Sequence, residues 1–185
     1  MTGVLPAGRR THGGWGWAVV LARLVLGGVW LVAGLMKVGD LDESVRAVRA
    51  YQLLPEVLAQ VVGAALPLVE ILLGVLLVAG LFVRASAVAS AVVMAAFVVG
   101  IASAWARGLR IDCGCFGSGG ELAAGEDPAY GWELARDGGL LLLALLLARW
   151  PAGHYALDGL LAAGATTRRT SRWPPDEPPA SGARR

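Results

Sequence analysis

The 185-residue chain contains two cysteines, and they stand two positions apart in Asp112-Cys113-Gly114-Cys115-Phe116-Gly117. That placement points to joint use. The chemistry such a pair offers is reversible disulfide exchange: one thiolate attacks a partner disulfide and the other thiol resolves the mixed disulfide. A Cys-Gly-Cys ring is sterically feasible, because Cα atoms two apart can approach within the roughly 4.4–6.8 Å a disulfide tolerates. Gly114 widens the backbone choices. A ring this small is strained and labile, which suits exchange. It closes almost no loop and so stabilises little by chain entropy. Three other readings stand beside exchange: a local structural disulfide, a lipidated or merely structural pair, and a metal site. A structural zinc takes four ligands. His12 and His154 fall at the opposite membrane face, so outer carboxylates or a second copy would have to complete the set, and no metal is assigned.

The elements that position this pair are long and apolar. Hydrophobic residues make up 56% of the chain and charged residues 16%, below the quarter typical of soluble proteins. The mean hydropathy is +0.62. Length allows one domain. Four segments meet the roughly 20-residue requirement for crossing a bilayer: Trp15–Met36, Glu56–Phe82, Ala85–Trp105 and Pro128–Trp150. The apolar core of the first exceeds the roughly 7–15 residues of a signal peptide, which favours a span over a cleaved leader. The prediction is an all-α integral membrane protein, a four-transmembrane-helix bundle. Residues 1–14 read as a disordered cytoplasmic N-terminus, 15–150 as the membrane domain, and 151–185 as a cytoplasmic tail. A weak apolar stretch, His154–Ala165, could rest on the inner leaflet, and the Arg/Pro/Ser bias beyond it reads as disorder. Net charge is +2, with basic residues concentrated at the ends, which gives no support to nucleic-acid binding.

The loops carry their own signals. Leu41, Val45, Val48, Tyr51 and Leu54 follow helical spacing, so the first outer loop is predicted to hold a short amphipathic helix on the membrane surface, with Arg46 and Arg49 on its polar side. The second and third spans are joined by little more than Val83-Arg84. The second outer loop, Arg107–Asp127, is glycine-rich and carries the cysteines. Asp127-Pro128 reads as an N-cap followed by proline at the first helical position. Small residues in the spans (Gly27, Gly28, Gly34, Gly63, Gly74, Gly80, Ser86, Ser90, Ala96, Gly100) let helix backbones approach closely. Such a face also permits dimerisation; no oligomeric state is assigned.

Basic residues near the membrane ends set orientation. Arg9, Arg10, Arg84, Arg149, Arg168 and Arg169 lie on the N-terminal side. Lys37, Arg46, Arg49, Arg107 and Arg110 lie on the other. The slight excess predicts a multi-pass protein of the cell membrane with cytoplasmic termini and an extracytoplasmic cysteine loop, where disulfides persist.

Charges inside spans are costly, by about 2.5–3.5 kcal/mol on insertion scales. Helical rise puts Arg23 and Glu70 at similar depth, so they are expected to form a buried ion pair. Its roles would be helix register, proton handling or ligand contact. Arg136 and Asp137 sit about 12–14 Å below the start of the fourth span, near the cysteine loop. Arg136 is expected either to pair with Glu133 or Asp137, or to stabilise a cysteine thiolate, since a nearby cation lowers a thiol pKa.

Arg23-Leu-Val-Leu-Gly27 followed by Trp30-Leu-Val-Ala-Gly34-Leu-Met-Lys37 resembles the first-helix signature of the DoxX-like membrane proteins. Tyr51-Gln-Leu-Leu-Pro55 and Leu66-Pro67-Leu-Val-Glu70-Ile-Leu-Leu-Gly74 resemble their loop and second helix. Asp112-Cys-Gly-Cys-Phe-Gly117 resembles the motif of the methylamine-utilisation MauE branch. The resemblance covers about residues 15–150. It implies a four-helix membrane protein tied to redox maturation of exported proteins, in that branch the disulfide-rich small subunit of methylamine dehydrogenase, beside a thioredoxin-like partner. The arrangement also resembles quinone-coupled disulfide-forming enzymes. This chain lacks their second cysteine pair, so a quinone cofactor has no support in the sequence. The leading expectation is therefore a thiol–disulfide oxidoreductase acting on exported or thioredoxin-like partners. The alternatives are a non-enzymatic membrane scaffold or assembly factor whose cysteines brace a loop, and a small transporter-like bundle using Arg23 and Glu70.

Overall fold

The computed structural model describes residues 13–115, 119–123 and 125–150, with side chains from Gly16 onward. Of the stretch 1–14 expected to be disordered, Gly13 and Gly14 instead open the first helix; residues 1–12 and the tail 151–185, with His12 and His154, lie outside the described residues. In chain order the elements are α1 (Gly13–Lys37), α2 (Leu41–Ala50), α3 (Glu56–Ala79), α4 (Val83–Ala106), β1 (Ile111–Cys113), β2 (Gly119–Glu121) and α5 (Tyr130–Arg149). Three of them, α1, α3 and α4, are long and apolar enough to cross a membrane. The first half of α5 carries Glu133, Arg136 and Asp137, which keeps it out of that class.

The bundle is built from two close pairs, α1 on α3 and α4 on α5, with α1 also touching α5. Glycine sets the first pair. A Cβ at Gly34 would lie 2.8 Å from the Pro67 carbonyl oxygen, and one at Gly74 would lie 2.9 Å from the Gly27 carbonyl oxygen. Backbones this close gain dispersion contacts that larger residues would forbid. Gly28, on the same helix, has nothing within 4 Å of its would-be Cβ. Gly34→Ala is therefore expected to lower stability by about 1–3 kcal/mol, the usual range for overpacking. Gly28→Ala should leave it unchanged or raise it slightly. Comparing unfolding midpoints of the two variants in mixed micelles checks this, and equal midpoints would count against the α1–α3 register.

Small residues serve α4 as well. Ala87, Ser90 and Ala91 are buried there, and Trp30 on α1 fills the space they leave. The Trp30 indole N–H donates to Ser90 Oγ at 2.9 Å, which satisfies a polar group in an otherwise apolar core. Val19, Leu26, Leu73, Leu77, Met94, Ala144 and Leu147 complete that cluster.

The first outer loop does form a helix. Asp40 caps α2 by accepting from Glu43 N–H at 2.9 Å, and acidic residues open the helix while Arg49 closes it. Arg46 and Arg49 are exposed, as the pattern required. The buried face is rotated from the expected one. Ser44, Val45, Ala47 and Ala50 are buried, Leu41 and Leu54 are exposed, and Val48 and Tyr51 are half-buried. The reason is that α2 packs on protein: Ser44 Oγ donates to the Gly63 carbonyl at 2.8 Å, and a Cβ at Gly63 would meet Val45 Cα at 2.6 Å. Only small residues fit that approach.

Other expectations need correction. The turn between α3 and α4 is Gly80–Phe82, one turn earlier than Val83-Arg84. Gly80 adopts φ +71°, and Leu81 N–H reaches back to the Leu76 carbonyl at 2.9 Å, which ends α3 in a left-handed cap. The all-α expectation misses a two-stranded antiparallel sheet that pairs Ile111 with Glu121, Asp112 with Gly120 and Cys113 with Gly119. Three-residue strands are too short to leave a periodic signal. Finally, α5 starts at Tyr130 with Ala129 at its N-cap and no side-chain cap, so Asp127 and Pro128 precede the helix. The Tyr130 hydroxyl donates to the Leu109 carbonyl at 2.6 Å and accepts from Ile111 N–H at 3.2 Å. Those bonds hold the helix start against the hairpin.

Candidate functional site

The hairpin exists where it does because α2 supports it. Cβ atoms at Gly114 and Gly119 would lie 2.8 and 2.5 Å from the Ala47 Cβ. Glycine at both positions and alanine below let the loop sit directly on the helix. Gly114 also takes φ +68°, which turns the chain between the two cysteines. Its N–H donates to Asp112 Oδ1 at 2.9 Å, fixing the turn. The Tyr51 hydroxyl, just past α2, donates to the Cys113 carbonyl at 3.1 Å. Cys113 is half-buried and Cys115 is buried, and both are free thiols.

The wall opposite is the first half of α5. Arg136 Nη2 donates to Cys113 Sγ at 3.6 Å, and Arg136 Nε donates to Asp137 Oδ1 at 2.8 Å. Cys115 Sγ donates to the other Asp137 oxygen, Oδ2, at 3.8 Å. One turn of helix thus gives a cation to one cysteine and a carboxylate to the other. Of the partners the sequence left as alternatives, Glu133, Asp137 and a cysteine, Arg136 meets Asp137 and Cys113.

The two thiols therefore differ. Cys113 is held below the ordinary thiol range chiefly because Cys115 can turn its single proton from Asp137 and hydrogen-bond it to the ionised Cys113 sulfur; burial opposes this and Arg136 adds to it. Cys115 is pushed far up, first by that same hydrogen bond, then by burial, then by the negative charge of Cys113 and Asp137. Tyr51 is raised by burial first and then by the two cysteines, so its phenol remains a donor at any physiological pH. The arrangement suits a thiolate at Cys113 beside a protonated thiol at Cys115. Arg136→Ala is expected to raise the pH at which alkylation of Cys113 by iodoacetamide reaches half its maximal rate. An unchanged pH profile would mean that the guanidinium serves Asp137 alone.

Asp112, Cys113 and Glu133 bring ligand atoms within 4.8 Å of one another. Three such atoms fall short of the four of a structural zinc, and the Arg136 guanidinium on Cys113 puts a positive charge where a cation would sit. The cluster is better matched to thiol chemistry.

The expected Arg23–Glu70 pair is replaced by another. Glu70 Oε1 accepts from Lys37 Nζ at 2.6 Å, and both side chains are buried. Arg23 lies farther along, donating to the Leu77 carbonyl at 3.1 Å and the Val78 carbonyl at 3.4 Å, against Gly80. The depth estimate assumed that α1 ends level with the start of α3. In fact Gly34 packs at Pro67 and Ile71, so α3 projects past Lys37 by about ten residues, or about 15 Å. The projecting turns are the seat of α2. Sequence reasoning also passed over Lys37 and Tyr51 as site residues. Their signal was membership of the Trp30–Lys37 and Tyr51–Pro55 segments.

A family model described as "Methylamine utilisation protein MauE" matches residues 15–149. The relative named methylamine utilization protein MauE from Paracoccus denitrificans is 32% identical over 151 residues, covering 81% of this chain and 76% of its own length. No solved structure matches the chain.

Proposed function

The chain belongs to the MauE family of methylamine utilisation proteins, and from that premise we propose that it is a membrane thiol–disulfide exchange protein serving methylamine utilisation. The observation that carries the proposal is the unequal treatment of two adjacent thiols. Arg136 donates to Cys113, while Cys115 is buried against Asp137. Cys113 is the attacking thiolate. It forms a mixed disulfide with the partner and releases one partner thiol. Cys115 then loses its proton, attacks Cys113 Sγ and releases the second partner thiol. Two electrons pass from the cysteine pair to the partner disulfide; the Cys115 proton ends on one of the two released partner thiolates and the other takes its proton from water. The reverse sequence donates a disulfide to an exported protein.

In this reading α5 is the fourth span, and its charged first half is solvated by the site it builds. The cysteine loop is extracytoplasmic and both termini are cytoplasmic. The slight excess of basic residues on the terminal side supports that orientation, and so does the persistence of disulfides outside the cytosol. Membrane-impermeant maleimide should label the reduced protein at Cys113, the more exposed thiol, in intact cells. Prior exposure to an oxidised thioredoxin-like protein should block that labelling until reductant is added. Labelling only after lysis would overturn the topology. Thiols that stay fully reactive after the oxidised partner would overturn the exchange reading and leave a scaffold whose cysteines brace the loop.

A further inference from the structure

Below the thiols the bundle holds ionisable groups that helix pairing does not use up. Glu70 is fully buried; Lys37 occupies Oε1, while Oε2 has no hydrogen-bond partner. A buried carboxylate oxygen left bare is costly unless something reaches it. Two small cavities adjoin the pair. One, of about 10 Å³, has Glu70, Asp137 and Cys115 together in its wall, with Trp30 and Met94. The other, of about 30 Å³, is lined by Lys37, Tyr51, Cys113 and Cys115 among others. Cys115 borders both. A polar cavity of roughly 10–15 Å³ or more holds a water that finds two to four partners. The smaller space is at that lower limit, and Glu70, Asp137 and Cys115 bring polar groups to its mostly apolar wall.

We propose that Glu70 is the inner proton acceptor of the exchange site, reached from Cys115 through Asp137 and one water held between the two carboxylates. The inference rests on the exchange reading above. Its reason is steric. Cys115 is only 8% exposed in the free protein, and once a partner is bonded to Cys113 its outer face is covered. The bases then left to it are the buried ones. The ionisable groups around Cys115 are Cys113 on its own loop with Glu133 beyond it, Arg136 and Asp137 on α5, Tyr51 after α2, Lys37 on α1 and Glu70 on α3. From α4 the cavity walls receive Met94 and Phe97, which carry no charge. The proton rests on Glu70 while Cys115 attacks, and it returns by the same water to the second departing thiolate. No further oxidant or reductant enters.

The test uses the full reduced chain in nanodiscs and the aryl disulfide 5,5′-dithiobis(2-nitrobenzoate) in stopped flow. Attack by Cys113 releases the first coloured thiolate and resolution by Cys115 releases the second. Glu70→Gln should leave the first phase unchanged and slow the second by about 10²-fold, the lower end of general-base effects. The slowed phase should speed up with rising pH as hydroxide substitutes for the lost base, and Glu70→Asp should restore much of the rate. Where Glu70→Gln does not fold, Lys37→Met/Glu70→Gln removes the base without stranding a charge and carries the same expectation. A second phase at the native rate in either variant would overturn the proposal. So would equal slowing of both phases, which is what a purely structural role predicts. Absence of the first phase from the native chain would sink the exchange reading itself, and the proton path with it.

Discussion

Cys113→Ser is expected to reduce attack on a partner disulfide by at least about 30-fold, whereas Cys115→Ser should attack normally and then stall as a mixed disulfide. The asymmetry follows from the two environments. An ordinary thiol near pKa 8.5 is only about 3% thiolate at pH 7, and the thiolate is the nucleophile. Cys115 lies above that range and is buried, so it cannot replace Cys113 as the attacker. Cys113 lies below the ordinary range and has Arg136 on its sulfur. In Cys115→Ser the new hydroxyl can still donate to Cys113, so attack should persist. Cys115→Ala removes that donor and should shift the Cys113 alkylation profile to higher pH. The adducts are read on non-reducing gels after incubation with an oxidised thioredoxin-like protein. Trapping by Cys113→Ser instead of Cys115→Ser would reverse the assignment of roles, and full turnover by both single variants would leave no role for the pair in exchange.

Lys37→Met and Glu70→Gln should each destabilise the bundle by about 3–5 kcal/mol, and the double variant should recover much of that loss. Removing one member of a buried pair strands the other charge, while removing both exchanges the pair for neutral side chains of similar volume. The pair is well placed for a large effect: Nζ and Oε1 are 2.6 Å apart, and the two side chains are 4% and 1% exposed. Arg23→Gln provides the contrast. Arg23 contacts the far end of α3 and shares no described partner with Glu70, so its loss should add to that of Glu70→Gln within a few tenths of a kcal/mol. Reversible unfolding in mixed micelles gives the four corners of each cycle. Strong coupling of Arg23 to Glu70, with additivity between Lys37 and Glu70, would overturn the helix register.

Much of this was legible in the chain itself. Three apolar spans follow from composition and length, because a helix must satisfy its own backbone in lipid and therefore shows as an unbroken hydrophobic run. The α2 helix was legible because apolar residues at three- and four-residue spacing act locally. The isolated Cys-Gly-Cys pair marked the site without any fold. What the tertiary structure alone decided was which groups meet. Sequence could place Glu70 at a depth, but its partner depends on how far α3 slides along α1, and that is set by the contacts of Gly27, Gly34 and Gly74. The three-residue strands arise from a glycine loop resting on Ala47, a contact between segments more than sixty positions apart. The unequal thiols likewise come from α5, whose Arg136 and Asp137 are adjacent in sequence yet reach different sulfurs. Periodicity and motif report what the chain does over a few turns. Register between helices is a long-range packing result, and here it chose the ion pair and the surroundings of each cysteine.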